Sequence, residues 1–186
     1  MALEIEGECI DPEVVELRSK ISKLNGEIEY ARADLQDVVN ILHYKREANE
    51  DAKDVENTRV ASMKIVNNID DMIMEKLRLE EEIIHKKLFW GVNAVLLRRD
   101  TRKILQKLNI YYMHSLITLE ETDLMKILPT KADIQELEED INKIGFKLCT
   151  PLERFPSKSI IEIEEWRKDN KIIITAPWEK KKRGKR

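Results

Sequence analysis

The sequence predicts a mainly α-helical protein, with a long N-terminal coiled-coil helix, then a helical bundle region, and a small β-hairpin near the C-terminus. Three observations predict this class. Charged residues make up 37% of the 186 residues and aromatic residues only 5%. Glycine and proline number five each, which is typical of long helices rather than of β-sandwiches or barrels. The third observation is a heptad pattern that begins close to the N-terminus.

The first predicted helix starts at Pro12. Asp11 can accept hydrogen bonds from the free amides of the first turn, proline fits that turn, and Glu13 complements the helix dipole. Nine positions spaced alternately three and four apart then form an apolar heptad seam: Val14, Leu17, Ile21, Leu24, Ile28, Ala31, Leu35, Val38 and Leu42. Because such a pattern is typical of coiled coils, we expect oligomerisation through Val14, Leu17, Ile21, Leu24, Ile28, Leu35, Val38 and Leu42.

Residues 12–88 are predicted to be a coiled coil or a helical hairpin. Residues 44–62 lack an apolar stripe, and they fit either a continuous solvated helix or a turn around residues 49–57. Apolar periodicity returns at Ile65, Ile69, Met72, Ile73, Leu77, Ile83, Ile84 and Leu88. The similar lengths of the two apolar segments favour a hairpin, whereas the absence of glycine and proline between Gly26 and Gly91 opposes it.

The stretch HKKLFWGVNAVLLRR, residues 85–99, is an apolar run between basic pairs. Its ten-residue apolar part is about half the length that spans a bilayer, so we expect no transmembrane segment. Two interpretations remain open: an interfacial helix on anionic lipid, which would make the protein a peripheral membrane adaptor, or a buried junction. The predicted partner or junction surface consists of Leu88, Phe89 and Trp90.

Residues 89–145 are predicted to be helical. In the last of these helices Thr130 and Asp133 resemble a capping box, and Gly145 suits the position after its C-terminus. Residues 146–178 form a loop with Pro151 and Pro156, followed by the alternating sequence SIIEIEEW. We favour a β-hairpin of residues 160–166 with 172–175, and the alternative is a short helix through residues 162–168.

The two ends of the chain carry opposite charge. Residues 1–11 form an acidic segment, and residues 179–186 form a basic tail with Lys180, Lys181, Lys182, Arg183, Lys185 and Arg186. Six positive charges within seven residues predict contact with nucleic acid or another anionic partner. A nuclear import signal or a purely solvating tail would explain the same pattern.

No residue pattern indicates catalysis, a cofactor or a metal. His43, His85 and His114 lack ligand spacing, and glycine is too rare for a nucleotide-binding loop. Cys9 and Cys149 are too few for a disulfide framework, so we expect free thiols, with Cys149 a small buried apolar residue. The N-terminus lacks the features of a secretory signal, which predicts an intracellular protein, cytoplasmic or nuclear.

We therefore expect a non-enzymatic oligomeric coiled-coil scaffold or assembly protein whose basic tail gains avidity from oligomerisation. Its predicted partners are further copies of the chain or another coiled-coil protein, and nucleic acid through the tail. The alternative is a monomeric helical-hairpin protein-binding module in which the second helix fills the heptad seam.

Overall fold

The computed structural model describes residues 11–95, 98–128, 130–172 and 174. In this part of the chain the protein is mainly helical and divides into two compact units, residues 11–83 and the described residues from 84 onward. The dividing point lies five residues before the sequence-based boundary at 88/89. The acidic segment before Asp11 and the basic tail lie outside the described residues.

The first unit is a pair of long helices, α1 (Pro12–Glu47) and most of α2 (Ala52–Leu88). The Asp11 side chain accepts a hydrogen bond of 2.9 Å from the Glu13 amide, which confirms the predicted start of α1. Within α1 every residue is exposed except the nine positions of the heptad seam and Lys45. The heptad seam is therefore the covered face of this helix.

A tight turn joins the two helices and excludes the continuous-helix interpretation. Asn49 has a φ of 53°, in the left-handed region that asparagine tolerates better than most residues. The Asp51 side chain then accepts a hydrogen bond of 3.3 Å from the Lys53 amide at the start of α2. Asparagine here performs the role for which glycine is usually expected.

The covered face of α2 mirrors that of α1. Its sheltered residues include a strict three-and-four series, namely Val55, Thr58, Ser62, Ile65, Ile69, Met72, Lys76, Leu79 and Ile83. Sheltered positions 45 and 55, 42 and 58, and 17 and 83 lie at equal distances along the chain from residue 50. The pKa of Lys20 is raised, chiefly by its hydrogen bond and ion pair with Glu16, and further by Glu82 and Glu75 on α2. The two helices thus lie side by side in antiparallel directions.

The second unit begins with the last turn of α2. It continues with α3 (Arg99–Lys107), α4 (Met113–Ile117), α5 (Glu121–Ile127), α6 (Lys131–Lys143) and α7 (Ser157–Asp169), with 3-10 turns at Val92–Ala94 and Leu152–Arg154. Its core contains fully buried side chains from every one of these α-helices: Leu88, Leu105, Met113, Leu116, Ile117, Leu124, Ile127, Ile141 and Ile163. Because Phe146 and Ile163 belong to the same core, the structure shows no separation at 145/146.

Both ends of α6 confirm the sequence-based prediction. The Thr130 hydroxyl accepts a hydrogen bond of 3.2 Å from the Asp133 amide and donates one of 2.7 Å to the Asp133 carboxylate. Gly145 has a φ of 87°, where glycine carries no side-chain penalty, and the next amide donates to the Ile141 carbonyl at 3.1 Å.

The predicted β-hairpin is wrong, because residues 160–166 lie within α7. The alternation in SIIEIEEW suggests a strand, but the sheltered positions are Ser159, Ile160, Glu162, Ile163 and Trp166, which share one helical face. Ile161, 57% exposed, points away from that face. Among the described residues no strand occurs, and the one β-type pairing joins Gly91 with Tyr112. Residue 175 lies outside the described residues.

No described helix is long and apolar enough to cross a membrane. The apolar run of residues 85–99 instead contributes to the core, with Leu88, Val92 and Val95 buried. Buried side chains are not available for insertion into a lipid surface, which weighs against the interfacial interpretation.

Candidate binding surfaces

The predicted oligomerisation residues all lie on the covered face of α1. Val14, Leu17 and Ile28 are buried, and the other members are half-buried. Since the single chain already covers this seam, its apolar surface contributes to the stability of the hairpin.

A second heptad stripe runs along α2, and this stripe is open to solvent. We call it the α2 stripe: Arg59, Met63, Val66, Asp70, Ile73, Leu77 and Glu80. These positions are spaced alternately four and three apart, so they share one side of the helix. Met63 is 54% exposed, Val66 40% and Leu77 48%, while Ile73 is half-buried.

Sequence reasoning does not separate the α2 stripe from the covered face of the same helix. In the sequence, Ile73 and Leu77 belong to one apolar series with Ile69 and Met72. One covered face of α2 is too narrow to contain all four of these positions together with the apolar positions that follow Leu77 in the sequence. The width of the apolar pattern is the signal that could have revealed the stripe, because two adjacent heptad series occupy a wider arc than one seam.

The predicted partner or junction surface lies at the end of α2, against the core of the second unit. Leu88 is fully buried, whereas Phe89 and Trp90 are half-buried and pack against this core. Beside them, the Lys87 ammonium donates a hydrogen bond of 2.8 Å to the Ile144 carbonyl and lies 5.8 Å from the Trp90 ring centroid. A buried cation at the C-terminal end of α6 complements the carbonyl groups that this helix leaves free.

His85, Ser159 and Glu162 form an arrangement that resembles part of a hydrolytic site. The Nδ1 atom of His85 lies 3.0 Å from the Ser159 hydroxyl, and its Nε2 atom lies 3.4 Å from the Glu162 carboxylate. Nucleophilic catalysis requires a hydroxyl that substrate can reach. Ser159 has no exposed surface. The arrangement therefore holds the end of α2 against α7.

His114 is fully buried within a group of aromatic rings. Its ring centroid lies 4.8 Å from Trp166, 5.1 Å from Phe89 and 5.5 Å from Tyr112. Nδ1 lies 3.1 Å from the Ser115 hydroxyl, whereas Nε2 has no hydrogen-bond partner among the described residues. Burial, with a smaller contribution from the positive charge of Arg167, lowers the pKa of His114 to about 4. The imidazole is therefore neutral at pH 7.

The prediction that Cys149 is buried is wrong. It is an exposed free thiol in the loop before Pro151, with a φ of 55°. Desolvation raises the pKa of the thiol, as do the acidic side chains of Glu121 and Glu138. A reactive cysteine needs a lowered pKa, so this thiol is not activated as a nucleophile. Cys9 lies outside the described residues.

A solvent-filled groove of about 460 Å³ lies between the α3–α4 loop and the C-terminal end of α7. It is lined by Asn109, Tyr111, Lys168, Asp169, Asn170 and Lys171. A neighbouring depression shares Asn170 and Lys171 and includes Arg167 and Thr118. Sequence reasoning could not find this groove, because its two walls are distant in the chain. We refer to it as the Tyr111 groove.

Comparison of the chain with protein-family models, curated proteins and solved structures gives no match. In the part of the chain that the structure describes, no group of three or more histidine, cysteine or acidic side chains is placed to hold a metal ion. The α2 stripe and the Tyr111 groove are the candidate functional surfaces of the described chain.

Proposed function

We propose that this protein is a non-enzymatic assembly protein that self-associates through the α2 stripe. The observation that carries the proposal is the contrast between two heptad series on one hairpin. The heptad seam of α1 is covered within the chain, whereas the α2 stripe exposes Met63, Val66 and Leu77 along one side of α2. Exposed apolar side chains aligned on a helix are typical of protein–protein contact sites.

The order of residues along the α2 stripe favours a second copy of this chain as the partner. Two antiparallel copies related by a two-fold axis at Asp70 place Met63 of one opposite Leu77 of the other, and Val66 within one residue of the position opposite Ile73. The same arrangement places Arg59 of each copy within one residue of the position opposite Glu80 of the other, a distance that both long side chains can span, so opposite charges meet at both ends. A two-fold contact requires a self-complementary surface of this kind.

The charged residues at the ends of the stripe, Arg59 and Glu80, are available to form ion pairs between two copies of the chain. Arg59 lies 3.5 Å from Glu56, and Glu80 lies 3.9 Å from Lys76, in ion pairs on the protein surface. Exposed pairs of this kind contribute little to stability. Replacing them with a pair between two chains therefore costs little free energy.

Asp70 opposes its own copy at the two-fold axis and limits the strength of the contact. Two carboxylates brought together repel each other, which makes a reversible association more favourable than a permanent one. The expected consequence is that Asp70→Asn strengthens the dimer.

We further propose that the basic tail binds an anionic partner, with nucleic acid as the favoured class. Lys180, Lys181, Lys182, Arg183, Lys185 and Arg186 can release counterions from a phosphate backbone. Two tails on one dimer would raise the local concentration of this weak contact. The dimer would thus attach to its anionic partner through several weak contacts at once.

Light scattering tests the self-association. The wild-type chain is expected to approach twice its 21.9 kDa mass as concentration rises. Met63→Glu and Leu77→Glu are expected to return the mass to that of one chain, because each buries a charge in the contact. The matched control is Val60→Glu, since Val60 is 42% exposed on the same helix but points away from the middle of the stripe.

The coverage of the heptad seam also favours a second function, a monomeric hairpin module whose α2 stripe binds a helix of a different protein. A wild-type mass of one chain at every concentration would support this module and reject self-association. A dimer that Leu77→Glu leaves intact would place the contact elsewhere.

A further inference from the structure

The Tyr111 groove contains an exposed aromatic ring on a rigid backbone. Tyr111 is 47% exposed. Its carbonyl accepts a hydrogen bond of 2.8 Å from the Val92 amide, and the Met113 amide donates one of 2.9 Å to the Trp90 carbonyl. These bonds fix the backbone on both sides of the ring. A ligand that stacks on Tyr111 therefore loses little entropy in ordering the chain beneath it.

Before Tyr111, the backbone turns sharply at Asn109. This residue has a φ of 60°, and its side-chain oxygen accepts a hydrogen bond of 3.4 Å from the Tyr111 hydroxyl. The turn leaves one wall of the groove with an aromatic ring and an amide group. Both are groups that can contact a nucleobase.

Positive charge lies on the opposite wall. Lys168 lies in the last turn of α7, and Lys171 follows that helix. Among the described residues, neither ammonium group forms an ion pair or a hydrogen bond. Asp169 contributes a negative charge to the same groove, so the two lysines leave it with a net charge of +1.

The neighbouring depression adds a further positive charge. Arg167 donates a hydrogen bond of 2.6 Å to the Thr118 hydroxyl, which fixes one edge of its guanidinium group. Asn170 and Lys171 line both depressions, so the positive charges follow one continuous path around the end of α7. In the sequence, the basic tail comes after Lys171.

We propose that the Tyr111 groove binds single-stranded nucleic acid, with a base stacked on Tyr111 and phosphates contacted by Lys168 and Lys171. This inference rests on the proposed nucleic-acid contact of the tail and adds a binding site for bases. Single strands are favoured over duplex because a ring can stack only on an unpaired, accessible base. The aromatic ring and the surrounding charges also lie within one groove, as such sites require.

The test uses the full chain and a fluorescein-labelled single-stranded oligothymidylate of about twenty nucleotides, a length that covers more than one typical single-strand site, followed by fluorescence anisotropy. Wild-type protein is expected to bind this probe more tightly than a duplex of equal length. Tyr111→Ala should weaken binding by about 5- to 150-fold, and Tyr111→Phe should retain it, because stacking needs the ring. Tyr44→Ala is the matched control, since Tyr44 is 68% exposed on α1.

The salt dependence of binding tests the two lysines separately. Replacing Lys168 and Lys171 with glutamine should reduce the slope of log Kd against log salt by about 0.7 for each phosphate that the protein no longer neutralises. Replacing the exposed Lys53 and Lys64 of α2 with glutamine is the control and should leave the slope unchanged. Because all four side chains are exposed, these variants test binding without disturbing a core.

The outcomes separate the groove from the tail. If wild type binds the probe and both Tyr111→Ala and the Lys168/Lys171 variant bind equally well, the groove proposal is wrong. Loss of that binding on replacing the six basic tail residues with glutamine would then assign it to the tail alone. If wild type binds neither probe, the groove and the nucleic-acid part of the proposed function both fail, whereas self-association through the α2 stripe still stands.

Discussion

At the scale of single residues, His114 shows how the second unit uses an ionisable group as a packing element. Its imidazole is enclosed by Phe89, Tyr112 and Trp166, which belong to three different parts of the chain. Burial without a partner for Nε2 among the described residues favours the neutral form. The residue therefore couples the stability of this unit to pH.

The pH dependence follows from the direction of the shift. The pKa of His114 falls to about 4 in the folded protein, whereas an unfolded histidine has a pKa near its ordinary value of 6.5. Between pH 6.5 and pH 4, the His114 imidazole binds a proton in the unfolded chain but stays largely neutral in the folded chain. The unfolding free energy is therefore expected to fall by about 3 kcal/mol between pH 6.5 and pH 4.

Chemical denaturation across this pH range checks the prediction by comparing wild type with His114→Gln. The variant should lack this part of the pH dependence, whatever its absolute stability. The control is His43→Gln, because the His43 side chain is exposed. Parallel curves for wild type and His114→Gln would show that the buried imidazole does not control this loss of stability.

Other residues show what sequence reasoning could and could not resolve. The caps of α1 and α6 were predictable because Asp11, Thr130 and Gly145 act on neighbouring amides and carbonyls within the same segment. Cys149 was not predictable, because its exposure depends on the path of a loop held by the Thr150 amide, which donates to the distant Ile117 carbonyl at 2.9 Å. Local chemistry can be read from neighbouring residues, whereas loop paths depend on tertiary contacts.

At the scale of elements, the heptad seam determines α1 and leaves its partner undetermined. An apolar series identifies a face that must be covered, but it does not distinguish a second copy from a second helix of the same chain. The turn at Asn49 decides in favour of the same chain, and no glycine or proline marks it in the sequence. The alternating apolar residues of α7 gave the wrong prediction of a strand for a related reason. The pattern does not distinguish the exposed Ile161 from the buried Ile163.

Removal of one buried residue from the heptad seam should destabilise the hairpin. Ile28 is 5% exposed, so Ile28→Ala is expected to lower the unfolding free energy of this unit by about 2–4 kcal/mol. Tyr30→Ala on the same helix is the control, because Tyr30 is 78% exposed and its loss should change stability by less than about 0.5 kcal/mol. Thermal unfolding followed by circular dichroism measures both; equal effects would contradict a covered seam.

At the scale of the whole molecule, the two proposed surfaces lie on different units. The α2 stripe belongs to the hairpin, and the Tyr111 groove belongs to the unit that begins at residue 84. Because each unit has its own core, variants of one surface are expected to leave the fold of the other unit intact. The hairpin would then join two chains in a dimer. The dimer would bring together two copies of each weak contact with an anionic partner and so increase the avidity.

The most direct test of the central claim is disulfide formation at the proposed two-fold axis. Asp70→Cys, in a chain whose Cys9 and Cys149 are replaced by serine, places a thiol opposite its own copy, where cysteines can approach within bonding distance. Asp71→Cys, exposed on the same helix, is the control because it lies outside the α2 stripe. Rapid formation of a covalent dimer by Asp70→Cys but not by Asp71→Cys is the predicted result. Equal rates, or no covalent dimer from either variant, would contradict self-association through the α2 stripe.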